Sequence, residues 1–254
     1  MQVINSIKEW QQIKKTLNNI TIGFVPTMGN LHHGHSSLME RSVSDNNLTI
    51  LTIYINPTQF NHKEDLANYP KTLEKDQILA KNLGVDYLIL PSYEEIYPDN
   101  YNFRVTENSE YSLMLEGASR TGHFTGVLTI VLKLLLITSP TRVYFGEKDY
   151  QQLHLVREMA KAFLLDTEII SCPTIRNEDG LPLSSRNNRL SEIELKKAAL
   201  FPELLSSNLV SSAVKTELES VGFMVYYIEE YEGRRFGAVK LGNVRLIDNI
   251  RMNI

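Results

Sequence analysis

Short apolar runs alternate with longer stretches of helical period along the first two thirds of the chain. Five runs have the length and apolar continuity of buried strands, at residues 21–25, 48–55, 85–90, 141–145 and 167–171. Between them, residues 34–44, 73–83, 122–137 and 150–163 predict helices, and Val127, Ile130, Val131 and Leu134 make one apolar stripe in the third. Apolar strands separated by helices predict an α/β fold, a Rossmann-like doubly wound parallel sheet, over residues 1–173. The rhythm changes after Thr174. A polar loop leads to a helix whose start, Ser191 followed by Glu192 and Glu194, suits an N-cap, and a second helical stretch covers 212–220. Strand-like runs follow at 223–228 and 245–247, with Gly233, Gly237 and Gly242 read as punctuating the turns between them, so residues 174–254 predict a smaller α+β domain.

Composition narrows the function. A chain of 254 residues that is 43% hydrophobic can build a sizeable core, and a formal net charge of -4 offers no basic surface for a phosphate backbone, so nucleic acid is a disfavoured partner. The single cysteine, Cys172, excludes an intramolecular disulfide and argues against a thiolate zinc site. The longest apolar run, 126–137, is interrupted by Lys133 and is shorter than the ~20 residues of a membrane span. The N-terminal segment lacks the apolar centre of a signal peptide, and a cytoplasmic protein acting on a small molecule is expected.

Candidate chemistry gathers in four segments. Residues 26–35, Pro-Thr-Met-Gly-Asn-Leu-His-His-Gly-His, join the first of the five strand-like runs to the helix that follows it, and hold His32, His33 and His35, three of the six histidines. Gly29 and Gly34 let a ligand approach the backbone, and a helix N-terminus presents N–H groups to an anion such as phosphate. His32 and His35 can both donate to oxygens that gain charge during displacement at phosphorus. Taken alone the cluster also suits a surface group, or zinc through His33 and His35, though no further ligands follow at recognisable spacing. Residues 145–152, Phe-Gly-Glu-Lys-Asp-Tyr-Gln-Gln, leave the fourth run at the edge where open α/β sheets bind ligands. There Lys148 offers a charge to phosphate, Asp149 an acceptor to ribose, and Gln152 an amide to a hydroxyl or carboxylate. Residues 176–187 carry Ser184, Ser185 and Arg186, whose guanidinium fork matches phosphate oxygens. Residues 55–60 supply Asn56 and Gln59 as neutral partners for a hydroxylated substrate, with Phe60 as an apolar wall. Each of the last three segments, read singly, is also an ordinary polar loop or turn.

Taken together, the segments Pro-Thr-Met-Gly-Asn-Leu-His-His-Gly-His, Asn-Pro-Thr-Gln-Phe, Gly-His-Phe-Thr-Gly-Val, Phe-Gly-Glu-Lys-Asp-Tyr-Gln-Gln and Asp-Gly-Leu-Pro-Leu-Ser-Ser-Arg-Asn resemble the successive motifs of the pantothenate synthetase family, in that family's order, over residues 26–187. The resemblance implies a nucleotidyltransferase of the HIGH type with a smaller C-terminal lid, usually a homodimer. It implies that pantoate attacks MgATP to give pantoyl adenylate and pyrophosphate, and that β-alanine then displaces AMP. By matching position it implies ATP contacts from Met28, Gly29, Asn30, Leu31, His32, His33, Gly34 and His35, from Gly146, Glu147, Lys148 and Asp149, and from Ile175, Leu183, Ser184, Ser185 and Arg186. The resemblance makes His35 the active-site proton donor; His32 and His35 would stabilise charge on the transferring phosphoryl group, Lys148 would contact the ATP phosphates and Arg186 the β and γ phosphates, and Gln59 and Gln152 would hold pantoate, with Gln59 also near β-alanine. Met28, Phe60, Ile130, Val131 and Leu134 are candidate pocket walls, and Asp76 a candidate magnesium-contacting carboxylate. Lys71, Thr121 and Pro182 depart from the family's common Arg, Pro and Ala, and the C-terminal portion is read as shorter than usual. A nucleotidyltransferase that accepts phosphate is the nearest rival, but it calls for added Lys or Arg where Gln59 and Gln152 stand. A tRNA synthetase is disfavoured by the short, acidic chain, and a non-catalytic nucleotide sensor by the retained phosphate-handling residues.

Overall fold

A computed structural model describes residues 1–61 and 63–252. Six parallel strands, β1 (Gln2–Ile4), β2 (Ile22–Thr27), β3 (Leu48–Ile53), β4 (Tyr87–Ile89), β5 (Arg142–Gly146) and β6 (Glu168–Cys172), form one sheet in the order β1-β4-β3-β2-β5-β6. The connecting helices include α1 (Ile7–Lys14), α2 (His33–Asp45), α3 (Lys63–Ala67), α4 (Leu73–Asn82), α5 (Tyr93–Ile96), α6 (Leu115–Ser119), α7 (His123–Thr138) and α8 (Tyr150–Ala162). From β2 the chain steps outward to β3 and β4, then returns to place β5 on the other side of β2. Ligands of doubly wound sheets bind at such a reversal, outside the carboxyl ends of the strands. The histidine segment leaves β2 there, and the chain leaves β5 there at Gly146.

The middle strands read clearly because both faces are covered. Val25, Leu51, Leu88 and Tyr144 pack with Leu38, Met39 and Ala80 from the helices and with the buried Cys172. Strand β1 and helix α1 were not among the expected elements. The strand is three residues long and gains its partner, β4, from 83 or more residues away, so no local pattern marks it.

The chain forms two compact units, 1–146 with 151–172, and 147–150 with 173–254. The second contains α9 (Glu192–Ala198), α10 (Leu200–Leu205), α11 (Ser211–Ser220) and an antiparallel sheet of β7 (Met224–Tyr231), β8 (Arg234–Leu241) and β9 (Val244–Arg251). Ser191 caps α9 through a reciprocal capping box with Glu194. Phe201, Leu205, Val214, Leu218, Val239 and Leu246 are central to its core. Gly233 and Gly242 do lie in turns, at φ 71° and 55°. Gly237 does not, which corrects the sequence reading: it sits inside β8, where a Cβ would come within 2.9 Å of Phe201 and 3.0 Å of Leu205. The missing side chain is what lets α10 pack on that strand.

Candidate active site

The turn after β2 is built from backbone held on all sides. Gly29 and Asn30 both adopt left-handed conformations, φ 82° and 51°, so that successive N–H groups turn the same way. Thr27 Oγ1 donates to the Thr52 carbonyl and accepts from Gly29 N–H. Asp76, buried at 3% exposure, accepts from Asn30 N–H and Leu31 N–H at 2.9 Å each and from Thr72 Oγ1 at 3.0 Å. Both oxygens of the carboxylate expected near magnesium thus brace the turn. A Cβ on Gly29 would approach Asp76 Oδ2 to 3.1 Å, so the carboxylate fits against that turn only because residue 29 is glycine.

His32 is the N-cap of α2. Its Nδ1 accepts from Gly34 N–H at 3.1 Å, and His35 Nδ1 accepts in return from His32 N–H at 3.4 Å, a capping box made by two imidazoles 4.2 Å apart between centroids. A ring that accepts at Nδ1 carries its neutral-form proton on Nε2. The backbone therefore fixes both tautomers with Nε2 as the donor nitrogen, beside a helix N-terminus that favours anions. His33 is exposed, so its side chain lies apart from this pair and its place in the turn is a backbone one.

Gln59 is set by a seat the sequence did not reveal. Its Oε1 accepts from Asn56 Nδ2 at 3.0 Å and its Nε2 lies 3.3 Å from Met28 Sδ, which brings the expected substrate residue against the histidine turn. Asn56 is buried and fully used: it also donates to the Gly126 carbonyl and accepts from Thr58 Oγ1 and from the Tyr97 hydroxyl. Through its bond to Oε1 it orients Gln59. Burial pushes the Tyr97 hydroxyl up to about 12 against the opposing bonds from Thr58 and Asn56, so it remains a donor. The Gly-His-Phe-Thr-Gly-Val segment completes the seat. His123 Nδ1 and Arg120 hydrogen-bond the Gln59 carbonyl, and a Cβ on Gly126 would strike the Thr58 carbonyl oxygen at 2.5 Å. Ile130, Val131 and Leu134 are buried on α7, and Met28 and Phe60 are half-buried.

The tandem glutamines at the start of α8 divide their tasks. Gln151 is buried, accepting from Glu116 N–H and donating to the Tyr111 and Met114 carbonyls, whereas Gln152 is half-buried and has no hydrogen-bond partner among the described residues. In the second unit, Ile175 and Leu183 are joined when Leu183 N–H donates to the Ile175 carbonyl, across a tight turn closed at Gly180 with φ 79°. Ser184 Oγ accepts from Arg186 N–H, and Asn187 Nδ2 donates to the Pro182 carbonyl. Arg176 forks onto Asp248 at 2.7 and 2.9 Å. Burial raises the Asp248 carboxyl while that fork opposes the shift. Lys148 lies 3.7 Å from Asp149 on the single turn Glu147–Asp149. Among the described residues no group of three or more His, Cys, Asp or Glu could hold a metal ion, and no helix is long and apolar enough to cross a membrane.

Comparison with known proteins agrees with this arrangement. Residues 2–251 match the family model described as pantoate-beta-alanine ligase. The chain is 52% identical to a pantothenate synthetase of Coxiella burnetii, over 98% of this chain and 96% of that one, and 50% identical to one of Legionella pneumophila, over 98% and 99%. It is therefore not short beside these relatives. Among solved structures, a pantoate-beta-alanine ligase of Francisella tularensis complexed with beta-gamma ATP and beta-alanine superposes with a TM-score of 0.94 at 44% identity, covering 99% of this chain and 97% of that one. A pantothenate synthetase of Thermus thermophilus gives 0.91 at 37%, covering 99% of each. A family match running almost from end to end, on a sheet whose reversal point carries the histidine turn, identifies the chain as an enzyme of the pantoate-beta-alanine ligase family.

Proposed function

We propose that the enzyme condenses pantoate with β-alanine at the expense of ATP, through a pantoyl-adenylate intermediate. A pantoate carboxylate oxygen bonds to the α-phosphorus, the bond from that phosphorus to the bridging oxygen breaks, and pyrophosphate leaves. The amine of β-alanine then attacks the acyl carbon, loses a proton and expels AMP. Adenylation is needed because a free carboxylate resists an amine. The observation that carries this reading is the imidazole capping box, which engages Nδ1 of both His32 and His35 with backbone N–H groups at a helix N-terminus beside the sheet's reversal point. In the first step His32 and His35 stabilise charge on the transferring phosphoryl group without giving up a proton, since the attacking carboxylate has none to lose.

Lys148 and Arg186 hold the β and γ phosphates, Ser184 and Ser185 add hydroxyl contacts, and Gly146, Glu147, Asp149, Ile175 and Leu183 complete the nucleotide site. Residues 174–254 serve as the lid. Magnesium enters with the nucleotide, held chiefly by phosphate oxygens, as that ion commonly is. A homodimer in the cytoplasm is the expected form. The decisive measurement is exchange of labelled pyrophosphate into ATP, expected with pantoate present and β-alanine absent. Exchange that required β-alanine, or that ignored pantoate as a phosphate-accepting nucleotidyltransferase would, contradicts the reading.

Gln59 and Gln152 bind the hydroxyls or carboxylate of pantoate. Replacing either by Ala is expected to lower kcat/KM for pantoate by about 1–3 kcal/mol, the scale for a buried polar partner left unpaired. Steady-state kinetics check it, since ATP saturation should change little. A collapse of ATP affinity with normal pantoate saturation reverses the assignment.

A further inference from the structure

We propose that Asn249 is a positioning residue for Lys148 in adenylation, an inference that rests on the phosphate-binding role given to Lys148 above. The turn that carries Lys148 follows the last residue of β5, yet it clusters with the C-terminal unit. The cause is on β9. Asn249, at 4% exposure, donates through Nδ2 to two carbonyls at once, those of Glu147 and Lys148, at 2.9 Å each. One amide nitrogen thus spends both of its protons on consecutive peptide groups of a three-residue turn, which fixes the plane from which the Lys148 side chain departs.

The amide is itself held in register. Its Oδ1 accepts from Arg234 Nη1, and its backbone N–H donates to Asp248 Oδ1 at 2.7 Å. Asp248 in turn is gripped by Arg176. Arg234 also reaches the same turn directly, 3.7 Å from the Glu147 carboxylate and with its guanidinium 3.9 Å from the Tyr150 ring centroid. Every residue from 147 to 150 except Asp149 is therefore tied to β8 or β9 by a side chain of those strands. An asparagine at 249 is specified by this geometry, because it alone combines a two-proton donor for the carbonyls with an acceptor for Arg234 at that length. Aspartate has the shape and keeps the acceptor, but turns an oxygen toward both carbonyls.

The test uses Asn249→Asp and Asn249→Ala in the full-length enzyme, each also combined with Lys148→Ala, with single-turnover rates for both half-reactions. A misplacement of order 1 Å costs about 10²-fold in rate. Either Asn249 variant is expected to slow adenylation on that scale and to leave conversion of supplied pantoyl adenylate by β-alanine within about twofold. In the Lys148→Ala background the same substitutions should cost little more, since a residue that acts through another has nothing left to act on. Melting temperatures establish that the variants compared are folded, and Asn249→Asp retains a partner for Arg234 should the alanine variant fail. Full additivity with Lys148→Ala, or equal losses in both half-reactions, overturns the proposal. If Lys148→Ala alone shows no preference for adenylation, the Lys148 reading falls and this inference with it, an outcome visible in that single variant without reference to Asn249.

Discussion

Lys148→Ala is expected to slow formation of the acyl-adenylate by about 10²-fold or more, the scale of removing one charge contact to a transition state, while largely sparing the second half-reaction. Negative charge builds on pyrophosphate as it departs, and a positioned cation lowers that barrier more than it stabilises bound ATP. In the second step the pyrophosphate has gone, so the same cation has nothing to stabilise. The side chain is placed to take this part at small cost. Its ion pair with Asp149 is long, at 3.7 Å, and Asp149 is 47% exposed, so releasing the ammonium toward a phosphate gives up a contact of the weak, solvent-screened kind. Single-turnover kinetics on each half-reaction, made on a variant whose melting transition matches the parent, measure the split. Equal losses in both steps would assign Lys148 to the architecture of the turn or to the AMP moiety.

How much of this was legible in the sequence depends on whether the controlling contact is local. Strands β2, β3 and β5 announce themselves because a strand covered on both faces must be apolar throughout, whatever its partners. Strand β1 does not, because three residues carry no period and its pairing with β4 is decided elsewhere in the chain. In the C-terminal sheet, Gly237 looks like punctuation until Phe201 and Leu205 are seen against it, and reading it as a turn hid the central strand β8. The candidate site shows the same division. The histidines, Lys148 and the Ser-Ser-Arg run are recognisable as chemistry because their residue types suit phosphate. The residues that aim them are not. Asn56 resembles a ligand residue as much as Gln59 does, and only its burial and its four partners separate them. His123 and Gly126 fall in a motif that resembles the family, yet their task, seating the Gln59 peptide on α7, is a contact across more than 60 residues that no spacing encodes.

Asp76 poses the same problem in its sharpest form, since an acidic side chain beside the histidine turn invites a metal reading while its contacts are those of an anchor. Asp76→Ala would strip acceptors from the amides of Asn30 and Leu31 and leave the left-handed pair at 29 and 30 without its brace. Hydrogen bonds to a charged group contribute about 1.5–3 kcal/mol each; because Asn30 and Leu31 are only half-buried and water can replace part of what is lost, a total near 2–4 kcal/mol is expected. In ATP-dependent adenylation that is a fall of roughly 30- to 10³-fold in kcat/KM. Asp76→Asn keeps the volume but sets an N–H against one of the loop's own donors, and should recover only part of the loss. Magnesium titration separates the two readings. A carboxylate that held the ion would leave a variant rescued by excess magnesium, whereas a carboxylate that holds the turn leaves a defect unchanged at any magnesium concentration, because the missing partner is an acceptor for backbone N–H groups. Rescue to near-parental kcat/KM by magnesium alone would return Asp76 to the metal.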